Sequence, residues 1–325
     1  VQYHTLIDTH IRAVLEDLAM PAMLREPFIY IMSSSGKRLR PLLTLLACEA
    51  VGGKAEDALH AGTAIEILHN FTLVHDDIMD KSPIRRGNPT VHIKWDEPTA
   101  ILAGDVMMGY AYRTLSMNTP AALLPAALRE FNRGFIEVCE GQALDLEYRY
   151  RNDINTGDYL RMIGMKTACL LEIAVSTGAI LGTADGQALT SLTTFAHALG
   201  TAFQLQDDLL DVTATEEELG KSIGQDIVEG KKTYMIIRCY ELTRSLHATD
   251  PKRMLIDRFY AQHGLPALDI PDVVAMMNEL GVTKETEGLI TENFSTARSA
   301  LRVLPQSDAR TLLDAVITLL DKRKR

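Results

Sequence analysis

Apolar positions along the chain recur with the period of an α-helix. Leu42, Leu45, Leu46 and Ala50 fall on one face, as do Leu68, Phe71, Thr72 and His75. Aromatic residues make up only 6%, and strand-like runs are scarce. The pattern predicts an all-α chain with loops where Gly and Pro gather, near residues 33–36, 82–89, 213–232 and 264–271. No repeat of fixed period and no Pro-, Gly- or Ser-rich linker interrupts it. A single domain over residues 1–325 is therefore expected. No run reaches the roughly 18 apolar residues of a spanning helix, and the greasiest stretch, 167–181, contains Glu172. No transmembrane segment is expected.

Composition narrows the class. Hydrophobic residues make up 46% and charged residues 23% of the 325, enough to bury a sizeable core. Acidic residues number 43 against 33 basic, a net charge of -10. A general nucleic-acid binder needs the opposite sign to neutralise phosphates, so nucleic acid is not an expected partner. An acidic substrate would require metal ions or a local basic cluster to reverse the field. Cys48, Cys139, Cys169 and Cys239 lie far apart with no C-x-x-C pair, which suits a reducing cytoplasm. Charges every few positions in the first thirty residues give no signal peptide, and a cytoplasmic protein is expected.

The informative feature is Asp76-Asp77-Ile78-Met79-Asp80, which recurs as Asp207-Asp208-Leu209-Leu210-Asp211. With 23 Asp in the chain, a D-D-x-x-D string should arise by chance about 0.1 times, so two copies are informative. On a helix, Asp76 and Asp80 point the same way, as do Asp207 and Asp211. Like charges on one helix face repel by a few tenths of a kcal/mol. Apolar neighbours such as Phe71, Val74, Phe203 and Leu205 mark core helices carrying acid at one end. Such carboxylates need cations. All-oxygen ligation favours Mg²⁺, which keeps waters and takes substrate phosphates as further ligands. A lone motif could be a solvated helix end; the pair argues against it.

Basic residues gather where anions would need them. Gly36-Lys37-Arg38-Leu39-Arg40-Pro41 stands at a loop-to-helix junction, with Pro41 suited to a first turn. Arg85-Arg86-Gly87 follows the first acidic motif. Lys221 and Lys231-Lys232 follow the second. Lys166-Thr167 sits in an apolar helix, where a lysine needs a task. Singly, each is an ordinary surface feature, and His69 alone an ordinary buried histidine. Jointly they fit a two-diphosphate substrate pair. Two diphosphates of charge -3 brought to about 6 Å repel by about 6 kcal/mol even in water, so metal at one and an Arg/Lys/His cluster at the other would be required.

These residues, in this order, resemble the trans-isoprenyl diphosphate synthases, or polyprenyl synthetases. The ordered set runs from Gly36-Lys37-Arg38-Leu39-Arg40-Pro41 through His69, the first acidic motif with Arg85-Arg86-Gly87, Gly104-Asp105, Lys166-Thr167 and the 203–211 segment to Lys221–Lys231. The resemblance implies the isoprenoid synthase fold, a single-domain bundle of long helices around a central apolar cavity, and usually a homodimer. It implies head-to-tail condensation of isopentenyl diphosphate with an allylic diphosphate. By position, Asp76, Asp80, Asp207 and Asp211 would hold up to three Mg²⁺ ions, supported by Asp77 and Asp208 directly or through water. Arg85, Lys166, Lys221 and Lys231 would touch the allylic diphosphate. Gly36, Lys37, Arg40, His69 and Arg86 would bind isopentenyl diphosphate. Thr167 and Gln204 would stand beside the cation, with Asp76, Asp80, Asp207 and Lys166 completing the catalytic set. The loop at 222–232 would help close the site, with Gly220, Gly224 and Gly230 giving it freedom.

Product length in this family looks set one and two turns before the first acidic motif. Phe71 is then the expected floor, with small Thr72 beside it and Leu68 a turn deeper. The motif lacks a two-residue insertion, and the pattern is most like geranylgeranyl diphosphate synthases. A farnesyl or longer product stays open. The rival readings are a class I terpene cyclase, a phosphohydrolase built on His75-Asp76, and a non-catalytic subunit of a heteromeric synthase. The cyclase would leave Lys37 and Arg40 unexplained, the hydrolase would leave the second motif idle, and a silent subunit would not keep both motifs.

Overall fold

The structure is a computed structural model that describes residues 2–34, 36–214 and 223–322. Helices dominate, in the order α1 (Gln2–Glu16), α2 (Ala22–Ser33), α3 (Leu39–Ala50), α4 (Leu59–Met79), α5 (Val91–Lys94), α6 (Glu97–Ser116), α7 (Leu124–Tyr148), α8 (Thr156–Ile163), α9 (Cys169–Leu181) and α10 (Gly186–Thr213). After the undescribed stretch come α11 (Gln225–Val228), α12 (Tyr234–Thr243), α13 (Pro251–Gln262), α14 (Ile270–Glu279), α15 (Val282–Leu301) and α16 (Asp308–Asp321). The all-α expectation holds. Among the described residues the one sheet is a hairpin in the expected 82–89 loop, pairing Ile84–Arg85 with Asn88–Pro89. Its turn residues Arg86 and Gly87 both have positive φ, 52° and 77°, the backbone that matches strand twist in a two-residue turn.

The contacts cluster into two compact units that interleave along the chain. The first takes Val1–Phe135, Leu170–Thr193 and Leu301–Leu313; the second takes Ile136–Cys169, Thr194–Ala300 and Asp314–Arg325. Each has its own apolar core. In the first, Phe28, Leu43, Leu45, Ile65 and Ile67 are at most marginally exposed; in the second, Phe195, Phe259 and Phe294 are. Helix α4 is buried on most of its faces from Ala61 to Phe71, which explains its weakly amphipathic sequence. It lies against α6, where Gly104 allows close approach: a Cβ there would come within 2.2 Å of the His75 ring.

The helical stretch Thr156–Leu181 meets the length and composition of a membrane-crossing helix, with a mean hydropathy of 1.4. It carries Lys166 and Glu172, and 67% of its most apolar window is buried within the protein, as in a core helix, so the expectation of no transmembrane segment is not overturned.

Candidate active site

In the first unit the acidic motif ends helix α4. Asp76 is in its last turn and Asp80 is its C-cap, with the Asp80 N–H donating to the Asp76 carbonyl at 2.8 Å. Helix geometry thus carries both carboxylates to one side, as the i, i+4 spacing predicts. The middle carboxylate behaves differently. Asp77 is buried and accepts a hydrogen bond from Arg85 Nε at 2.7 Å; Arg85 also reaches Asp76 at 3.5 Å. Burial pushes the Asp77 carboxyl up to about 6, against the pull of Arg85.

The hairpin delivers the arginines. Arg85 turns to the acidic motif, while Arg86 donates to Ser34 Oγ at 3.2 Å and lies 3.1 Å from where a Gly36 Cβ would stand. His69 is 9% exposed, and its Nδ1 is buried with no hydrogen-bond partner among the described residues. Its pKa lies well below the ordinary value, first through burial and then through Arg40, Arg86, Arg85 and Arg38. The predicted isopentenyl set therefore gathers as a neutral imidazole among arginines, with Gly36 at its edge. Lys37 is exposed.

A cavity of about 310 Å³ opens beside them, with Ile31, Leu73 and Val74 on its apolar wall and Asp77, Arg85 and Arg86 on its polar wall. Arg38, part of the Gly36–Pro41 motif but given no ligand role there, holds this region in place. It begins α3 with φ 47° and is buried, bonding Glu66 at 2.8 Å and the Met32 carbonyl. Removing either side of such a buried pair costs about 3–5 kcal/mol.

The predicted floor residues lie on α4 as expected. Leu68 is fully buried and Phe71 is 8% exposed. Phe71 packs edge-on against His75 at 4.8 Å and against Phe135 at 5.8 Å, so Phe135 is a missed member of this group. Thr72 Oγ1 donates to the His69 carbonyl at 2.8 Å. His75 points to α6, with Nε2 3.2 Å from the Ile101 carbonyl oxygen. The polar contact of His75 is thus with α6 rather than with the acidic motif, which does not favour the phosphohydrolase reading.

In the second unit the repeat motif lies in the last two turns of α10. Asp207 is half-buried, Asp208 is 4% and Asp211 is 1% exposed. Asp211 accepts the Asp226 N–H at 3.0 Å, capping the start of α11. Asp208 accepts Gln204 Nε2 at 3.0 Å and the Tyr159 hydroxyl. Burial, then the nearby charge of Asp226, raises Asp208 to about 8.

Lys166 and Thr167 lie in a π-helical turn, Gly164–Ala168, between α8 and α9. Such turns are rare and recur at functional sites. The turn presents Lys166 to Asp145 at 2.6 Å and Thr167 Oγ1 to Gln204 Oε1 at 3.0 Å. Gly200 makes this possible: a Cβ there would fall 2.5 Å from the Ala168 Cα. Gln204, one turn on, then reaches Thr167.

Lys231 pairs with Asp226 at 3.1 Å and Glu229 at 3.0 Å. Burial lowers its pKa, but the two carboxylates outweigh that and raise it overall. Lys221 and Gly220 lie outside the described residues. The described part of the expected closing loop makes backbone hydrogen bonds to its neighbours. Gly224 N–H donates to the Asp211 carbonyl at 2.7 Å and Leu265 N–H to Ile227 at 3.2 Å. Gly224 and Gly230 serve positive φ, 67° and 70°.

Among the described residues no three His, Cys, Asp or Glu side chains converge tightly enough to hold a metal alone. Mg²⁺ needs no such cage, being bound by one or two carboxylates with waters and substrate phosphates. The donor set fits it. Both motifs place carboxylates at helix C-termini, where the helix dipole is already negative and each added anion costs about 0.3–1 kcal/mol.

Long helices carrying two all-oxygen acid sets, each with its own bases, define a diphosphate-handling all-α protein. Comparison names the family. The profile of the polyprenyl synthetase family matches residues 21–273, and the chain belongs to that family. It is 36% identical over 323 residues to a short chain isoprenyl diphosphate synthase of Methanothermobacter thermautotrophicus, covering 99% of this chain and 97% of that protein. It is 44% identical over 236 residues to a geranylgeranyl diphosphate synthase of Sulfolobus acidocaldarius, covering 72% and 70%. The crystal structure of geranylgeranyl pyrophosphate synthetase from Pyrococcus horikoshii Ot3 superposes with a TM-score of 0.91 at 33% identity, covering 99% of this chain and 97% of that one.

Proposed function

We propose that the protein is a trans-prenyltransferase that condenses isopentenyl diphosphate head-to-tail with an allylic diphosphate, ending at geranylgeranyl diphosphate. The observation that carries this is that the expected diphosphate-binding bases are held on carboxylates. Arg85 rests on Asp77, Lys166 on Asp145 and Lys231 on Asp226. Each base is positioned, ready to exchange a carboxylate for a diphosphate oxygen. The family membership and the geranylgeranyl synthases among the relatives support the reading.

Asp76, Asp80, Asp207 and Asp211 would hold up to three Mg²⁺ ions, with Asp77 and Asp208 in support. Bound Mg²⁺ supplies positive charge against the charge growing on the departing diphosphate. Arg85, Lys166, Lys221 and Lys231 orient the allylic diphosphate and share that charge. Gly36, Lys37, Arg40, His69 and Arg86 hold isopentenyl diphosphate; neutral His69 offers a hydrogen bond where the arginines offer charge. Thr167 and Gln204 face the allylic cation with oxygen dipoles. The isopentenyl double bond attacks that cation, and the released diphosphate takes the proton. Apolar walls exclude the water that would quench the cation. Phe71, with Phe135 against it, stops the growing chain, while Thr72 leaves room beside it and Leu68 lies below. The chain acts as one domain over residues 1–325, in a homodimer, in the cytoplasm. Four free cysteines suit that compartment.

The test is a product-length assay with Mg²⁺, labelled isopentenyl diphosphate and, separately, dimethylallyl, geranyl and farnesyl diphosphates. Geranylgeranyl diphosphate is the expected end product. A fifteen-carbon or much longer product would move the floor away from Phe71. No condensation with any starter would overturn the reading.

A further inference from the structure

Tyr159 has no part in the reaction as derived above, yet it ends a chain of hydrogen bonds that leads to the cation-facing residues. Tyr159 is 4% exposed and its hydroxyl donates to Oδ2 of Asp208, itself 4% exposed. The other carboxylate oxygen accepts Gln204 Nε2 at 3.0 Å. An amide donates only through nitrogen and accepts only through oxygen. Holding Nε2 on Asp208 therefore aims Oε1 the opposite way, where it accepts Thr167 Oγ1 at 3.0 Å. A hydroxyl has one hydrogen. With that hydrogen committed to Gln204, Thr167 presents only oxygen lone pairs on its open side, and Thr167 is half-exposed where the other end of the chain is buried.

Direction matters here. A rotating hydroxyl would spend part of its time with hydrogen, the positive end, toward a developing cation. Fixed dipoles need no reorganisation when the charge appears. The scaffold supports the direction: the π turn offers Thr167, and the close approach at Gly200 brings Gln204 within reach.

We propose that Tyr159 is a positioning residue. Through Asp208 and Gln204 it locks the Thr167 hydroxyl with its oxygen toward the allylic cation. The proposal rests on the prenyltransferase reading. It gives the middle carboxylate of the second acidic motif a task separate from metal ligation.

The experiment compares wild type with Tyr159→Phe, Asp208→Ala and Asp208→Asn in the full chain. It reads kcat, KM for each substrate and the Mg²⁺ concentration at half-maximal rate. Tyr159→Phe should lower kcat about tenfold, with both KM values and the Mg²⁺ requirement within about twofold, as loosening a positioned group does. Asp208→Asn keeps an acceptor oxygen for Gln204 and should recover part of the kcat lost in Asp208→Ala. An unchanged kcat in Tyr159→Phe overturns the proposal. So does a kcat in Asp208→Asn no higher than in Asp208→Ala, because then no acceptor for Gln204 is needed. Unfolding midpoints check folding. Should Tyr159→Phe not fold, the Asp208→Ala and Asp208→Asn pair carries the test: partial recovery of kcat in Asp208→Asn is expected, and no recovery overturns the proposal. A wild type that condenses nothing overturns the functional reading and this proposal with it. A wild type that condenses while the variants match it overturns this proposal alone.

Discussion

The two acidic motifs share one five-residue string but keep different company. In the first, the middle carboxylate Asp77 rests on a cation, Arg85, at 2.7 Å. In the second, Asp208 rests on neutral donors, Tyr159 and Gln204, with the charge of Asp226 nearby. Burial raises both, but only to about 6 beside the arginine and to about 8 without one. The outer carboxylates differ too. Asp80 is a helix C-cap, whereas Asp211 is 1% exposed and caps the next helix. A repeated motif therefore does not imply a repeated division of labour. The first is coupled to a base, and the second is built into the protein's own hydrogen-bond chain.

The comparison breaks first at the leading carboxylates, the feature the motifs share. Asp76→Ala and Asp207→Ala should each lower kcat/KM by at least roughly 10³-fold, and chelation of Mg²⁺ should abolish turnover. If steady-state rates show only one of the two to be essential, the pairing of the motifs is decorative. Next comes product length, which should belong to the first motif's helix alone. Phe71→Ala should shift the main product by at least one isoprene unit, more so with Phe135→Ala added. Phe203→Ala, the corresponding turn before the second motif, should slow the reaction without lengthening the product. Chromatography of dephosphorylated products distinguishes these.

A smaller effect separates the close approaches that support each motif. An added methyl at Gly200 meets the Ala168 backbone, whereas at Gly104 it meets the turnable ring of His75. Gly200→Ala should destabilise by about 1–3 kcal/mol and Gly104→Ala by less, read from urea midpoints. The smallest effect is on the pH dependence of the metal-free protein. Both middle carboxyls titrate above their ordinary 3.8 when folded, so the folded state holds more protons and stability falls as pH rises. That fall should run from about pH 4 to about 8 for Asp208 and stop near pH 6 for Asp77. Asp208→Asn should flatten the longer slope and Asp77→Asn only its lower part, measured as urea midpoints against pH.

Much of this was legible along the chain because the relevant spacings are local. Helical periodicity and the i, i+4 carboxylates of both motifs follow from 3.6 residues per turn, and so does Phe71 one turn before Asp76. The loop-to-helix junction at Gly36–Pro41 was equally readable, since capping and proline rules act within one turn. The glycines of the 222–232 loop were ambiguous along the chain, because glycine signals equally a free hinge and a packed residue with positive φ. The residues missed altogether share one property. Asp145 lies 21 positions from Lys166, Glu66 lies 28 from Arg38, and Tyr159 lies 49 from Asp208.

Sequence alone thus determined the helical class, the two acid sets and the bases around them, since each is written in short-range spacing and charge. Only the tertiary structure decided which carboxylates face outward and which are anchored. It also decided which base waits on which acid, and which way the Thr167 hydroxyl points. Those are contacts between distant segments, and burial and hydrogen-bond direction exist only once the chain has packed.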